Sequence, residues 1–305
     1  MESWRIGSAK VTRVPEQVGP NAVAPHVFFP AFDRATLERH ATWLVPTFYS
    51  PPQDRLISSI HSWVIRTERH TVLVDCCAGN HKERPWNPRF HQLDTPYLAR
   101  LAAAGVAPAD VDFVLCTHLH SDHIGWNTQR VDGRWVPTFP RARYLFSRIE
   151  NDYWRPDAPR AALDPARAVA YQDSVLPVIE SGQAVLLDGE HAIDERLRIE
   201  PAPGHTPGHV VLKLDGGRDR GALFCGDVIH HPLQLYHPEW NSAFCELADE
   251  ARVTRGRLMA YCADQAALLF PTHFAAPYVA GVVRAADAFA PDFAAGLKFA
   301  LHKEL

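Results

Sequence analysis

Thr117-His118-Leu119-His120-Ser121-Asp122-His123 is the stretch on which the reading of this chain turns. Within seven residues it supplies three imidazoles and one carboxylate, borderline nitrogen and oxygen donors that suit zinc and its first-row neighbours. In an extended turn the alternation His118-x-His120 projects both rings the same way, while Asp122 and His123 are carried past them. One segment can therefore feed two metal ions. Polar loop histidines close together by chance are the bland alternative, and the cluster's position at the mouth of the apolar run Val111 to Cys116 argues against it.

Two metals need more donors than one segment provides, so further His or Asp residues are expected in loops beside strands downstream. Three such positions exist. His205 stands in the rigid turn Pro203-Gly204-His205-Thr206-Pro207-Gly208-His209, Asp227 ends the strand-like Leu223 to Cys225, and His273 follows Leu268 to Phe270. A strand-end aspartate can also bridge, fixing two ions at the roughly 3.5–4 Å of two-metal hydrolytic sites.

Working outward, Ile60 to Ile65, a polar turn at Thr67 to His70 and Thr71 to Val74 read as a hairpin ending at Asp75. A helical stretch from Thr95 to Ala104 stops at Gly105 before the strand Val111 to Cys116. Strand-like Ala142 to Phe146, helical Ser147 to Trp154 and Ala166 to Glu180, and strands Ala184 to Leu187 and Leu197 to Ile199 follow. Then the plan repeats. Val210 to Leu214 and Ala222 to Asp227 form a second hairpin ending in an acid, and helical Leu247 to Cys262 leads to a strand closed by Thr272-His273, as the first half closed at Thr117-His118. The reading is α/β, two related halves whose strand-end loops meet at one edge if sheet packs on sheet. The proline-rich first 55 residues read as a pocket-lining arm on one domain spanning 1–305, with weak periodicity of their own.

At these residues the chain resembles the metallo-β-lactamase-fold hydrolases, whose pattern is HxHxDH followed by a His, a bridging Asp and a final His. The resemblance spans about residues 57 to 275 and implies a four-layer αββα sandwich. It implies His118, His120 and His205 around one metal and Asp122, His123 and His273 around the other, with Asp227 between. Two divalent ions are expected, zinc first, with Mn, Fe or Co as alternatives. A water shared by two cations loses a proton near neutral pH, and the hydroxide can attack a carbonyl carbon or a phosphorus. In that scheme Asp122 is both ligand and candidate to orient the nucleophile or pass a proton, and no serine or cysteine nucleophile is required.

Asp75 is the candidate for fixing a ligand tautomer, against a plain strand cap, and Thr117 and Thr272 are candidates to bond beneath the metals. His230, three residues past Asp227, is assigned a catalytic place in the pocket, and His231 a surface loop. Trp126, Asn127, Phe28, Phe29, Tyr236 and Trp240 are candidates for an aromatic wall, ordinary core packing being the alternative for each. The remaining histidines, His26, His40, His61, His70, His81, His91, His191, His209, His237 and His302, are read as surface or satisfied core.

Family subgroups differ in substrate, and the residues divide them. The Gly226-Asp227 bridge is unlike a true β-lactamase, and Asp122-His123-Ile124-Gly125-Trp126 lacks the Gly-Gly of the glyoxalase II type. Acyl-homoserine lactonases carry tyrosine where this chain has His230, and histidine there resembles the organophosphate and aryl-ester hydrolases. The expectation is a small lactone or other carboxylic ester, with a phosphotriester as rival and a diiron redox protein as the reading from another class. Its carboxylate substitution and flavin partner are not visible.

Composition limits the rest. With 305 residues, 47% hydrophobic and 22% charged, the chain can bury a substantial core without staples. A net charge of -4 argues against a nucleic-acid surface, the basic strip Arg141 to Arg148 reading as solvated. Six scattered cysteines form no CxxC pair, and most read as buried, reduced and inert, a catalytic thiol being the alternative. A polar N-terminus and the lack of any long apolar run give a cytoplasmic expectation with no membrane contact. A homodimer is left open.

Overall fold

The computed structural model describes residues 1–159, 165–286 and 288–301; His302 lies outside them. Period-two alternation within the strands decides the layering. In Thr71–Val74, Phe113–Leu115 and Arg143–Ser147, the residues Leu73, Val114, Tyr144 and Phe146 face one side and Val74, Leu115 and Leu145 the other. The first set packs with Tyr97, Leu101, Trp154 and Val178 from helices Tyr97–Ala103, Arg148–Trp154 and Leu176–Glu180. The second set, joined by Trp63 and Ile65, meets Leu212, Phe224 and Phe270 of a second sheet. That sheet turns Val211, Leu223 and Leu269 outward onto Leu258, Met259 and Cys262 of helix Ala248–Asp264. The order helix, sheet, sheet, helix is the four-layer αββα sandwich, and each buried Leu, Val or Phe adds about 1.5–3 kcal/mol to it.

The two halves share one strand plan. Arg55–Arg66 runs antiparallel to Thr71–Val74, which is parallel to Phe113–Leu115. In the second sheet Val210–Leu214 is antiparallel to Ala222–Gly226, which is parallel to Leu268–Pro271. Parallel pairs put their C-terminal ends on the same edge, so the acid of each hairpin and the Thr-His of each following strand arrive together.

The N-terminal segment, expected as a pocket-lining arm, also carries strands: Ser3–Ile6 and Ala9–Pro20 join the first sheet, the latter paired along Arg55–Arg66, while Asn21, Ala22, Val23 and Phe28 line a cavity. The register shifts between Pro15 and Gln17, and a bulge is where a strand tolerates the missing proline N–H. The run from Ala166 to Glu180 is two helices, Pro165–Ser174 and Leu176–Glu180, because Pro177 cannot donate across the junction.

Candidate metal centre

The seven metal-ligand candidates converge at the C-terminal edge of both sheets. Thr117 and Thr272, the residues before His118 and His273, both donate their hydroxyls to Asp75, at 3.0 and 3.2 Å. The Val210 amide donates to the Thr117 carbonyl at 2.8 Å. These bonds tie the two halves at the site. Gly226 closes the approach: its φ is +49°, and a Cβ there would lie 2.6 Å from Thr117 Oγ1 and 2.7 Å from His209 Nε2.

Two donor groups result. His118, His120, His205 and Asp227 form one, Asp122, His123 and His273 the other, with the donor atoms of each within 4.8 Å of one another. His205 Nε2 lies 3.2 Å from His118 Nε2 and 3.0 Å from His120 Nδ1. Asp227 faces both groups. Its Oδ2 is 3.3 Å from His205 Nε2, and its Oδ1 is 3.3 Å from His123 Nε2 and 3.0 Å from His273 Nε2. Asp122 Oδ2 is 3.6 Å from His273 Nε2. Buried His123 Nε2 and Asp227 Oδ1 make no hydrogen bond, an arrangement costing about 1–3 kcal/mol per group unless something else satisfies them. A pair of cations satisfies both, so the donor set fits two metal ions.

Hydrogen bonds on the far side of the rings set the tautomers. Asp75 accepts from His123 Nδ1 at 2.9 Å, and the Ser59 carbonyl accepts from His273 Nδ1 at 3.0 Å, so in the neutral rings Nδ1 keeps the proton and Nε2 is the nitrogen turned inward for a metal. Thr117 gives its one hydroxyl proton to Asp75, so His118 Nδ1, 3.1 Å away, donates to Thr117 Oγ1 and frees Nε2. His209, read from sequence as surface or satisfied core, is buried but only half satisfied: burial pushes it to about 4, its Nε2 accepts the Asp227 amide at 3.1 Å, and its Nδ1 has no hydrogen-bond partner among the described residues.

The electrostatics divide the rings. Burial and neighbouring imidazoles hold His118 well below its ordinary value, and burial outweighs Asp227 at His205 to the same effect. Both are the neutral form a metal requires. Burial also lowers His123 and His273, but facing carboxylates, Asp227 foremost, outweigh it and raise both. Burial alone would raise Asp227; His273, His123 and His230 hold it well below the carboxylate range.

The site floors a cavity of about 310 Å³ lined by His120, Asp122, Asp227, His230 and His273. His230 Nε2 is 3.2 Å from Asp227 Oδ2, and its ring stacks 6.0 Å from His273. Of the six aromatic-wall candidates only Phe28 lines this cavity. Trp126 stacks on Tyr97 and donates to Glu16, Asn127 bonds Cys116, and Phe29, Tyr236 and Trp240 pack against His231, His40 and His237. His231 is buried rather than on a surface loop, with Nε2 on the Phe48 carbonyl and Nδ1 accepting the Leu233 amide, although it too reaches the cavity. The sequence reading missed Trp86, Arg89, Phe90 and Phe244 as lining residues. The available signal was Pro85-Trp86-Asn87-Pro88-Arg89, a proline-bracketed aromatic and cation between a strand-end acid and a helix.

Among curated proteins, the chain is 30% identical over 137 residues to a hydroxyacylglutathione hydrolase of Synechococcus sp., covering 44% of this chain and 41% of that protein. It is 35% identical over 145 residues to metallo-beta-lactamase domain-containing protein 1 of Xenopus laevis, covering 48% and 49%. The chain thus spans less than half the length of these relatives. Solved structures with the same fold include the hydrolase AbOPH, at TM-score 0.77 and 20% identity over 95% of this chain and 96% of that one. The dizinc quorum-quenching lactonase AidC has TM-score 0.74 at 20% identity over 95% of each chain. No helix among the described residues is long and apolar enough to cross a membrane. The metallo-beta-lactamase superfamily model matches residues 57–273, well over half of the sequence, and the chain belongs to that superfamily.

Proposed function

We propose that this chain is a dinuclear metal-dependent hydrolase that cleaves a lactone or other carboxylic ester. The observation that carries the reading is Asp227, whose two oxygens face two separate donor groups, one per metal. When bound, the ions supply a nucleophile from water at neutral pH and polarise the scissile group. His118, His120 and His205 are assigned to one ion, Asp122, His123 and His273 to the other, with Asp227 between them; zinc is the expected metal.

The remaining roles follow from position. Asp122 lines the cavity as well as facing His273, so it can orient a water and receive or deliver its proton. His230 reaches the same space and can donate to an oxyanion or leaving oxygen. Burial lowers its affinity for protons, which keeps it a neutral donor. The neighbouring dizinc lactonase and hydrolase supply support by fold alone, and His230, where the lactonases carry tyrosine, keeps phosphotriester cleavage as the second reading. A thioester is the third, since a hydroxyacylglutathione hydrolase is among the sequence relatives.

The test is metal analysis of the purified protein with a panel of a lactone, an aryl ester, a thioester and a phosphotriester. Two equivalents of metal and turnover of the lactone or ester are expected. Activity surviving in the His118→Ala, Asp122→Asn double variant refutes the dinuclear mechanism.

A further inference from the structure

Arg89 is a cation on the cavity wall that no carboxylate among the described residues pairs with directly. Its Nη1 donates to Ser58 Oγ at 2.7 Å and Asn21 Oδ1 at 2.8 Å, and its Nη2 to the Ser58 carbonyl at 2.9 Å. All three acceptors are uncharged. Among the described residues no carboxylate lies within ion-pair distance, and the Nε–H edge engages no group. Arg84, five residues earlier, is the contrast: it is fully buried and grips Asp173 through two bonds of 2.7 Å. Fully buried Arg255 is held, like Arg89, by uncharged acceptors only, the Val228 and Pro238 carbonyls and Asn241 Oδ1, but it does not line the cavity, so of these two guanidinium groups Arg89 is the one placed to meet a ligand there. Burial lowers the pKa of Arg89 to about 10, with the charges of Asp122 and Glu16 opposing it. It stays protonated throughout the working range. In the metal-loaded protein Asp122 is committed to the ion, and Arg89 stands as an added positive charge on the wall.

We infer that Arg89 is a specificity-determining residue that binds a carboxylate carried by the substrate away from its scissile bond. The inference rests on the ester-hydrolase reading and narrows its substrate. The remaining Nε–H and second Nη2–H match the two oxygens of a carboxylate along one edge of the guanidinium. Phe28, Trp86, Phe90 and Phe244 line the same cavity and take the apolar chain linking that carboxylate to the ester. The preferred substrate is therefore an anionic ester or lactone with a short hydrophobic body.

The experiment is calorimetric titration of zinc-loaded protein with adipate and with hexanoate, which share a chain length and differ by one carboxylate. The wild type is expected to bind adipate about 10-fold more tightly. Arg89→Gln removes that preference, and Arg89→Lys keeps part of it. Loss of the Ser58 and Asn21 bonds weakens both ligands alike and leaves their ratio unchanged. An equal adipate-to-hexanoate ratio in wild type and Arg89→Gln, or no adipate preference in the wild type, overturns the inference. Kinetics on 4-nitrophenyl hexanoate and the 4-nitrophenyl monoester of adipate separate this from the underlying reading. If neither ester turns over while the adipate preference stands, the hydrolase assignment has failed and the subsite has not.

Discussion

Asp75→Asn isolates what orients the metal centre from what composes it. Asp75 is 1% exposed and lies outside the seven ligand candidates. Its Oδ1 accepts the Thr117 amide at 2.8 Å and hydroxyl at 3.0 Å, bonds an asparagine carbonyl reproduces. Its Oδ2 accepts His123 Nδ1–H at 2.9 Å and the Thr272 hydroxyl at 3.2 Å, and shares with Oδ1 the Thr117 hydroxyl, which can stay on the Asn carbonyl. An asparagine NH₂ in that place meets two donors. Thr272 can rotate its hydroxyl, but His123 must move its proton to Nε2, which is the atom aimed at Asp227 and the second ion. Losing such an outer partner costs about 10–100-fold in metal affinity, or ~1.4–2.7 kcal/mol. Competition against a chromophoric chelator measures the two binding steps separately. One step is expected to weaken by that factor while the other moves less than threefold, because His118, His120 and His205 make no bond to Asp75. Unchanged affinity at both steps, with folding intact by circular dichroism, refutes the tautomer argument.

Gly226→Ala places a Cβ 2.6 Å from Thr117 Oγ1 at a φ of +49°, and about 2–4 kcal/mol of lost stability is expected by urea denaturation, with reduced metal uptake. Lys82 is buried and its pKa is lowered to about 7, chiefly by burial, against 10.5 unfolded. Between those values the unfolded chain holds more protons, so stability rises with pH from about 7 toward 10.5. Relative to Lys82→Met, the wild type gains up to about 1.4 kcal/mol per pH unit from pH 7 to 9 in urea titrations, and a flat difference refutes it. Trp126→Phe removes a 2.7 Å donor from buried Glu16 and lowers stability by about 1–3 kcal/mol without changing the metal stoichiometry. Chelation lowers the melting temperature but leaves far-UV circular dichroism native, because the three apolar cores exclude the site's ligands.

What could be read in advance was chemistry that is local in the chain. His118 to His123 carry their meaning in consecutive residues, and Asp227 and His273 carry theirs by ending apolar strands. Asp75 was legible for the same reason, although its hold on Thr272, 197 residues away, was not. The strand Ala9–Pro20 was not legible because prolines stop strands in general, whereas Pro15 sits at a bulge that only the partner strand reveals. Trp126 and Tyr236 were candidates for the pocket because aromatics favour both pockets and cores, and nothing within one segment tells the two apart. Arg89 went unread because its position depends on a long irregular loop, closed by Asn80 on Thr95 at 2.8 and 2.9 Å and by the His81 amide on the Leu93 carbonyl.

That loop has a consequence for how such a protein diversifies. Its clasp, Asn80 on Thr95, and its anchors, Lys82 and Arg84 on Asp173, share no bond with the seven donors. Insertions and substitutions between the anchors and the helix at Tyr97 can therefore exchange one clientele of substrates for another while the reaction machinery is inherited unchanged. Selection can work on the lock without recasting the bolt.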